Sequence, residues 1–458
     1  MLFNSWLYLV FFVSVFAVYL ALRPTRFWVV WLCAASYFFY GWMSPLYLVP
    51  IGYATLVNYG INFVMPASPR KKWWLALSIV NGILLLGFIK YGAFFAENLN
   101  WLTDQWGIHV TLTKPKLLLP VGISFYTFLI LGYMIDIYRG KVPPERNFLR
   151  FATFASFFPY LLAGPIERAQ NILPQLKTAP KLSVENITEG FSLFVVGLFK
   201  KIVLADFLAL YVNKVFGDPV QYPGLSSLMA TYAFAWQIYF DFSGYTDMAR
   251  GTAKMFGFNL MLNFNNPYLA TGLGDFWRRW HISLSSWIRD YLYIPLGGNR
   301  HGRIMTYRNM IIAMLLAGFW HGAAWTFVIW GALHAVGRSA TRELEGTAFY
   351  RNRIPTIVNQ FFTFHFVCLT WIFFRADSFD KAVTILKNIF SFPYSDPKFP
   401  LIALAFIILV WAYQFAFESR FRRMLEYPAV RVALMLCMVL YMVFFSTPGY
   451  EKFYYFRF

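Results

Sequence analysis

The chain is predicted to be an all-α integral membrane protein that crosses the bilayer many times, and three observations lead there. Of its 458 residues, 59% are hydrophobic and only 13% are charged, about half the charged share of an ordinary soluble domain. Apolar stretches of the length a helix needs to span the hydrocarbon core recur from Leu2 to Phe445 with short loops between them. The basic residues gather in those loops, and their alternation fits the positive-inside rule. Together these give about 10 to 12 spanning helices, with re-entrant segments and interfacial amphipathic helices besides. No internal repeat or low-complexity linker interrupts residues 1–458, so one transmembrane domain is expected.

The first stretch, residues 2–22, has no basic residue before it and no small-residue cleavage pattern before Arg23, so it is expected to be a retained span and not a removable leader. Arg23/Arg26, Arg70/Lys71/Lys72 and Arg139/Lys141/Arg146/Arg150 follow the first, third and fifth stretches. These loops are therefore cytoplasmic, and the N-terminus lies outside. Residues 92–113 fall on the opposite side; they hold Glu97 and Asp104, and Lys or Arg occurs only at the flanks, in Lys90 and Lys114. Residues 151–166 are short for a span and contain Pro159, Gly164 and Pro165. A re-entrant segment fits, because broken backbone at membrane depth must be shielded by protein. Further spans are expected at residues 187–208, 225–249, 309–336, 354–374, 401–417 and 432–445.

A net charge of +19 raises the question of nucleic acid, but the basic residues are dispersed among loops and form no single aromatic-interleaved surface. Nucleic acid is excluded on that ground. Cys33, Cys368 and Cys437 stand alone in apolar stretches with no CxxC spacing, so neither a metal site nor a disulfide framework is indicated.

Residues 276–291 read as an amphipathic helix. Trp277, Trp280, His281, Leu284, Trp287, Ile288 and Tyr291 share one arc; Arg278, Arg279, Ser283, Ser286, Arg289 and Asp290 lie opposite, with Ile282 the misfit. Such a helix is expected at the cytoplasmic interface, tryptophans toward the acyl boundary and arginines toward the headgroups. His281 falls in the apolar arc, where a ring either makes a structural hydrogen bond or works. The residues alone do not choose.

His321 is the sharper candidate. It sits near the middle of a stretch between Arg308 and Arg338 that holds no Asp, Glu, Lys or Arg, and an ionisable group at such depth is a functional hypothesis by default. Gly318 and Gly322 flank it, leaving room for another backbone or a narrow substrate to approach. A neutral imidazole in a dry pocket suits a general base acting on a hydroxyl. His334 follows in the same stretch as a candidate partner, whereas His109, His301 and His365 show no metal-ligand spacing with it. Asp241 and Asp247 are six residues apart and so on different helix faces, which argues against paired-carboxylate chemistry unless Gly244 breaks the helix. Either orients an imidazole, pairs with an arginine of residues 276–291, or forms a structural ion pair.

Residues 277–300 (WRRWHISLSSWIRDYLYIPLGGNR), 319–325 (FWHGAAW) and 239–249 (YFDFSGYTDMA) together resemble the membrane-bound O-acyltransferase (MBOAT) family, in its bacterial branch that holds the membrane subunit of alginate O-acetylation. Residues 120–140 (PVGISFYTFLILGYMIDIYRG), 157–168 (FFPYLLAGPIER) and the aromatic terminus ending at Phe458 are similar to the same branch. The resemblance implies a multi-helix ring, thinned at its centre, with a tunnel joining a cytoplasmic acyl donor to an acceptor on the outer face. By resemblance His321 is the family's buried essential histidine and His281 its second polar position; Asp241 and Asp247 remain candidate supporting polar groups from the reading of the residues.

Acetyl-CoA is then the expected co-substrate, with no bound cofactor and no metal. Arg278, Arg279, Trp280 and Arg289 are the candidate donor contacts, since guanidinium groups suit phosphates. The acceptor is expected to be an exported polysaccharide, reached through a periplasmic acetyltransferase or accessory protein, and the setting a bacterial inner membrane. Two rivals stand beside this: D-alanyl transfer to teichoic acid from a carrier-protein thioester, and a transporter or flippase in which His321 gates a path.

Overall fold

The computed structural model of the chain describes residues 1–108, 112–113, 119–391, 397–445 and 453–457. His109, Lys114 and Phe458 lie outside the described residues. Every regular element among these residues is helical. Among the described residues four helices are long and apolar enough to cross a membrane: Pro45–Ala67, Lys71–Ile89, Thr356–Arg375 and Pro428–Phe445. Shorter apolar helices cover Trp6–Leu22, Trp28–Gly41, Ile123–Tyr138 and Leu401–Phe417. Of the spans expected outside this set, residues 309–336 form two arms and residues 225–249 lie within one longer continuous helix.

The described residues fall into two compact units, Met1–Phe191 with Ala249–Met261, and Ser192–Met248 with Leu262–Phe458. Two of the three boundaries fall inside the helices Val184–Phe199 and Leu225–Met255, so no linker composition marks them.

In the first unit, Ser5 starts the helix Trp6–Leu22 by accepting the Tyr8 N–H at 3.2 Å, an N-cap that meets one orphan donor. Tyr8, Phe11, Val15 and Tyr19 form its buried stripe. The Tyr8 hydroxyl meets Thr252 Oγ1 at 2.7 Å and Tyr19 donates to the Phe256 carbonyl at 3.1 Å, so both phenols bury with their polar tips satisfied. The opposite face carries Trp6, Leu9, Val10 and Val13, all exposed and all apolar. A helix apolar on both faces belongs in hydrocarbon.

Residues 151–166 break as expected. The helix Phe148–Ser156 ends at Phe157, one turn follows at Phe158–Leu161, and every residue from Phe151 to Glu167 is buried. The freed Phe158 N–H donates to Ser36 Oγ at 3.1 Å, which shows how the protein shields the broken backbone.

The expected span at residues 187–208 is helical throughout, though not α-helical throughout. A π-helical turn at Lys200–Ala205 separates Val184–Phe199 from Asp206–Gly217. Gly244 does not break its helix, which is continuous over Leu225–Met255. Gly244 is a crossing point instead: a Cβ there would lie 2.7 Å from the Gly197 carbonyl oxygen, and a Cβ on Gly197 would lie 2.5 Å from that of Gly244. Two backbones this close admit no side chain between them.

The expected span at residues 309–336 is a helical hairpin, with arms Gly302–His321 and Trp325–Glu345. Gly322 takes an extended conformation directly after His321, and this ends the first arm. The arms pack backbone to backbone, since a Cβ on Gly318 would lie 2.2 Å from the Phe327 carbonyl oxygen and one on Gly331 2.4 Å from that of Met314. At the open end Arg303 pairs with Glu343 at 3.1 Å, and Tyr307 donates to the same carboxylate.

Candidate active site

The amphipathic helix expected over residues 276–291 is broken at its histidine. Leu273–Arg279 ends at Trp280, His281 takes a left-handed φ of 41°, and Ile282–Ile288 begins anew before a π-helical turn at Arg289–Tyr293. A left-handed non-glycine residue is sterically costly and needs surrounding contacts to hold it. Asn263 supplies them. Its side-chain oxygen accepts the Ser283 N–H at 3.2 Å and the Ser283 hydroxyl at 2.9 Å, and its backbone carbonyl accepts the Ile282 N–H at 2.9 Å. Trp280 and Leu284 are therefore turned into the protein, each 1% exposed, and not toward an acyl boundary.

The same Asn263 oxygen lies 3.1 Å from His281 Nδ1. Since it already accepts a backbone N–H, the carboxamide orientation is fixed and the oxygen can only accept. His281 Nδ1 therefore carries the proton, and the neutral ring presents its lone pair at Nε2. Sequence reasoning missed Asn263, which is 18 positions upstream; only the bend brings it to the ring.

His321 ends the first arm of the hairpin and is buried in an aromatic cage, its ring centroid 5.0 Å from Trp320, 5.2 Å from Trp330 and 5.1 Å from Phe374. The two imidazoles face each other at 6.4 Å between centroids, with Trp320 against both rings. The structure thus brings together the two histidines singled out from sequence. His334 does not join them directly: Trp330 stands between, 4.7 Å from His334 and 5.2 Å from His321.

The two carboxylates belong to another cluster. Lys201 Nζ lies 2.7 Å from Asp241 Oδ1 and 2.7 Å from Asp206 Oδ1, and Lys200 Nζ lies 2.7 Å from Asp247 Oδ2. Asp241 Oδ2 also accepts the Tyr454 N–H at 2.6 Å. The glycine crossing at Gly197 and Gly244 is what places these lysines beside these aspartates. Their lysine partners come from the π-helical turn and not from the arginines of residues 276–291.

A cavity of about 470 Å³ opens beside the hairpin. Its apolar wall is Trp277, Ile282, Leu284, Met310, Ala313, Met314 and Ala317, and its charged groups are Arg278, Arg289, Arg338 and Arg342. Ala313 and Ala317 precede His321 by eight and four residues, so the wall follows the helix face that ends in the imidazole. Arg279 and Trp280 are not among the lining residues. Arg279 is tied to Asp275 at 3.0 Å and Glu418 at 2.8 Å, and Trp280 packs between Phe276 and Trp371. Arg338 and Arg342 were missed from sequence because they lie on the second arm, 49 to 64 residues beyond the arginines of residues 276–291. Spacing by four on one helix was their only signal.

This arrangement holds one imidazole with a defined proton, a second at the tip of a hairpin, and an arginine-lined cavity walled in part by the helix that carries the second. It suits proton transfer to and from a bound hydroxyl or thiol. The model of the membrane-bound O-acyltransferase family matches residues 145–376. The probable alginate O-acetylase AlgI of Azotobacter vinelandii is 39% identical over 396 residues, 86% of this chain and 78% of that protein. The peptidoglycan O-acetyltransferase of Helicobacter pylori is 39% identical over 389 residues, 78% of this chain and 73% of that protein. The teichoic acid D-alanyltransferase of Bacillus subtilis is 28% identical over 320 residues, 64% of this chain and 79% of that protein. The motif residues, the all-helical fold and these likenesses agree: the chain belongs to the membrane-bound O-acyltransferase family and is a membrane-embedded O-acyltransferase.

Proposed function

We propose that the chain transfers acetyl from a cytoplasmic acyl-CoA to a hydroxyl acceptor on the other side of a bacterial inner membrane, toward an exported polysaccharide. The observation that carries this reading is the cavity, with four arginines among its lining residues and an apolar wall that includes Ala313 and Ala317, on the helix that ends at His321. Guanidinium groups suit the phosphates of the donor, and the apolar wall suits its thioester arm. The N-terminus is then periplasmic, in keeping with the basic loops.

In the transfer, His321 takes the acceptor's hydroxyl proton as its oxygen attacks the thioester carbonyl. The new C–O bond forms, the C–S bond breaks, and the proton returns from the imidazolium to the leaving thiolate. His281, with Nε2 as its lone-pair nitrogen, assists from the donor side. The acceptor is a polysaccharide hydroxyl or a side chain of a periplasmic acetyltransferase or accessory protein that relays the acetyl group. The alginate and peptidoglycan O-acetylating relatives favour a polymer of that class.

The test is labelled acetyl transfer from acetyl-CoA in proteoliposomes, with polysaccharide or a periplasmic partner supplied as acceptor. Label on the acceptor that disappears in His321→Ala, at equal folded protein, supports the reaction and the role. Full transfer by His321→Ala rejects the role, and flux of an intact substrate without chemistry supports a transporter. The D-alanyl-transferring relative supplies a second reading, in which the thioester arm comes from a carrier protein. Offering both thioesters in the same assay separates the two.

A further inference from the structure

We propose that a groove at the membrane interface of the first unit binds one anionic phospholipid, an acyl chain against its apolar lining and the phosphate at Lys71. The site is independent of the donor's entrance. The groove, of about 400 Å³, is lined by Met65, Pro66, Ile137, Val142, Pro143 and Pro144, with Lys71 as the charged residue among its lining residues. Its level in the membrane follows from the helices that meet there. Pro45–Ala67 and Lys71–Ile89 are both long and apolar enough to cross, and the groove lies where the first ends and the second begins. A basic pocket at the interfacial ends of spanning helices is a general setting for anionic headgroups.

The groove is held open by its own backbone. The helix Ile123–Tyr138 ends in a Schellman turn: Gly140 has a φ of 70°, its N–H donates to the Ile137 carbonyl at 2.9 Å, and the Lys141 N–H donates to that of Asp136 at 2.9 Å. Pro143 and Pro144 then stiffen the chain. The residues after them are pinned to neighbouring helices. The Tyr133 hydroxyl accepts the Glu145 N–H at 2.7 Å, Asn62 donates to the Glu145 carbonyl at 2.8 Å, and Tyr59 donates to the Arg146 carbonyl at 2.6 Å. A preformed slot spares its ligand the cost of ordering the protein.

Charge selects the ligand. Lys71 and Lys72 occupy the first turn of Lys71–Ile89, which holds no acidic residue, although the positive end of a helix dipole favours anions there. Arg70 precedes them and Lys141 follows Gly140; all four cations are exposed. The carboxylates of residues 60–78 and 136–150 are Asp136 and Glu145, both buried. Glu145 is engaged by Arg150 at 3.8 Å and by the Asn147 N–H at 2.9 Å. Among the described residues none of Arg70, Lys71, Lys72 and Lys141 forms an ion pair. Uncompensated cations beside an apolar slot complement a phosphodiester that carries acyl chains, whereas a soluble anion leaves the slot unused.

The experiment is native mass spectrometry of the delipidated full chain, titrated in detergent with phosphatidylglycerol or with phosphatidylcholine of the same acyl chains. The first phosphatidylglycerol should bind about tenfold tighter than phosphatidylcholine, a preference that shrinks as salt rises. Lys71→Gln should weaken it about fivefold, the worth of one cation near an anionic headgroup, and Lys71→Arg should retain most of it. Val142→Trp, which fills the groove and leaves its charge alone, should weaken it at least as much. Arg26→Gln removes the same charge from another loop and should leave it unmoved. Equal binding of the two lipids overturns the proposal. So does an equal loss in Arg26→Gln and Lys71→Gln, the mark of diffuse attraction without a site. Val142→Trp that binds phosphatidylglycerol as the parent does removes the acyl chain from the groove. Glycerol 3-phosphate decides the same point if that variant does not accumulate: competition as effective as that of the lipid would make the site one for a soluble anion and reject the phospholipid.

Discussion

Two buried polar clusters of the second unit are built on opposite terms. Around Lys201, charge closes on charge, with Asp206 and Asp241 each 2.7 Å from the ammonium and the Tyr454 N–H on the second aspartate oxygen. Around His281 and His321, two imidazoles 6.4 Å apart stand among aromatic walls, and one asparagine oxygen sets a proton. A closed ion cluster secures a helix crossing and leaves little capacity for a substrate. Neutral imidazoles keep their capacity to exchange protons, which is what the proposed acyl transfer would use. As sequence, His321 was the sharper candidate and the carboxylates the weaker; the structure gives the carboxylates charged partners and the imidazoles neutral surroundings.

The comparison breaks most readily at His321. His321→Gln should lower kcat by about 10² to 10⁴, the usual worth of a general base, with unfolding in detergent unchanged. Equal losses of activity and stability would make the histidine structural. Lys201→Met should do the reverse, lowering stability by about 3–5 kcal/mol because it leaves buried aspartates unpaired; chemical denaturation at fixed detergent reads it. A variant as stable as the parent would mean that water or another group compensates the carboxylates, and the crossing would lose its assigned role.

Smaller effects sharpen the picture. Asn263→Leu removes the acceptor that fixes the His281 proton and the bend, and should slow transfer about tenfold to a hundredfold; a pH–rate profile whose shape changes would separate loss of the tautomer from simple loosening. Arg342→Ala and Arg338→Ala should each raise KM for acetyl-CoA severalfold, more at low salt than at high, as screened contacts to phosphate do. Arg279→Ala, outside the cavity lining and tied to Asp275 and Glu418, should leave KM unmoved. If Arg279 proves the stronger KM variant, the cavity is not the donor's entrance.

Much of this was legible before the fold. Apolar length and loop charge pointed to a polytopic helical membrane protein, and the depth of His321 in an uncharged stretch marked it out. The broken nature of residues 151–166 was readable from Pro159, Gly164 and Pro165. The bend at His281 was not, because residues 276–291 satisfy a helical period throughout and the contact that breaks it comes from Asn263. Nor was the hairpin, since a run of apolar residues reads alike whether it crosses once or folds back at Gly322.

The division follows from what each level of description contains. Composition and periodicity report what each residue prefers as a neighbour, water or hydrocarbon, and that suffices for the class of protein, the run of helices and the singling out of two imidazoles set among apolar residues. Which carboxylate meets which lysine, which oxygen sets the His281 proton, and which arginines share a cavity with Trp277 depend on pairs of residues far apart in the chain. Only packing chooses among such pairs, because each buried polar group takes whatever partner the close-packed helices bring within about 3 Å.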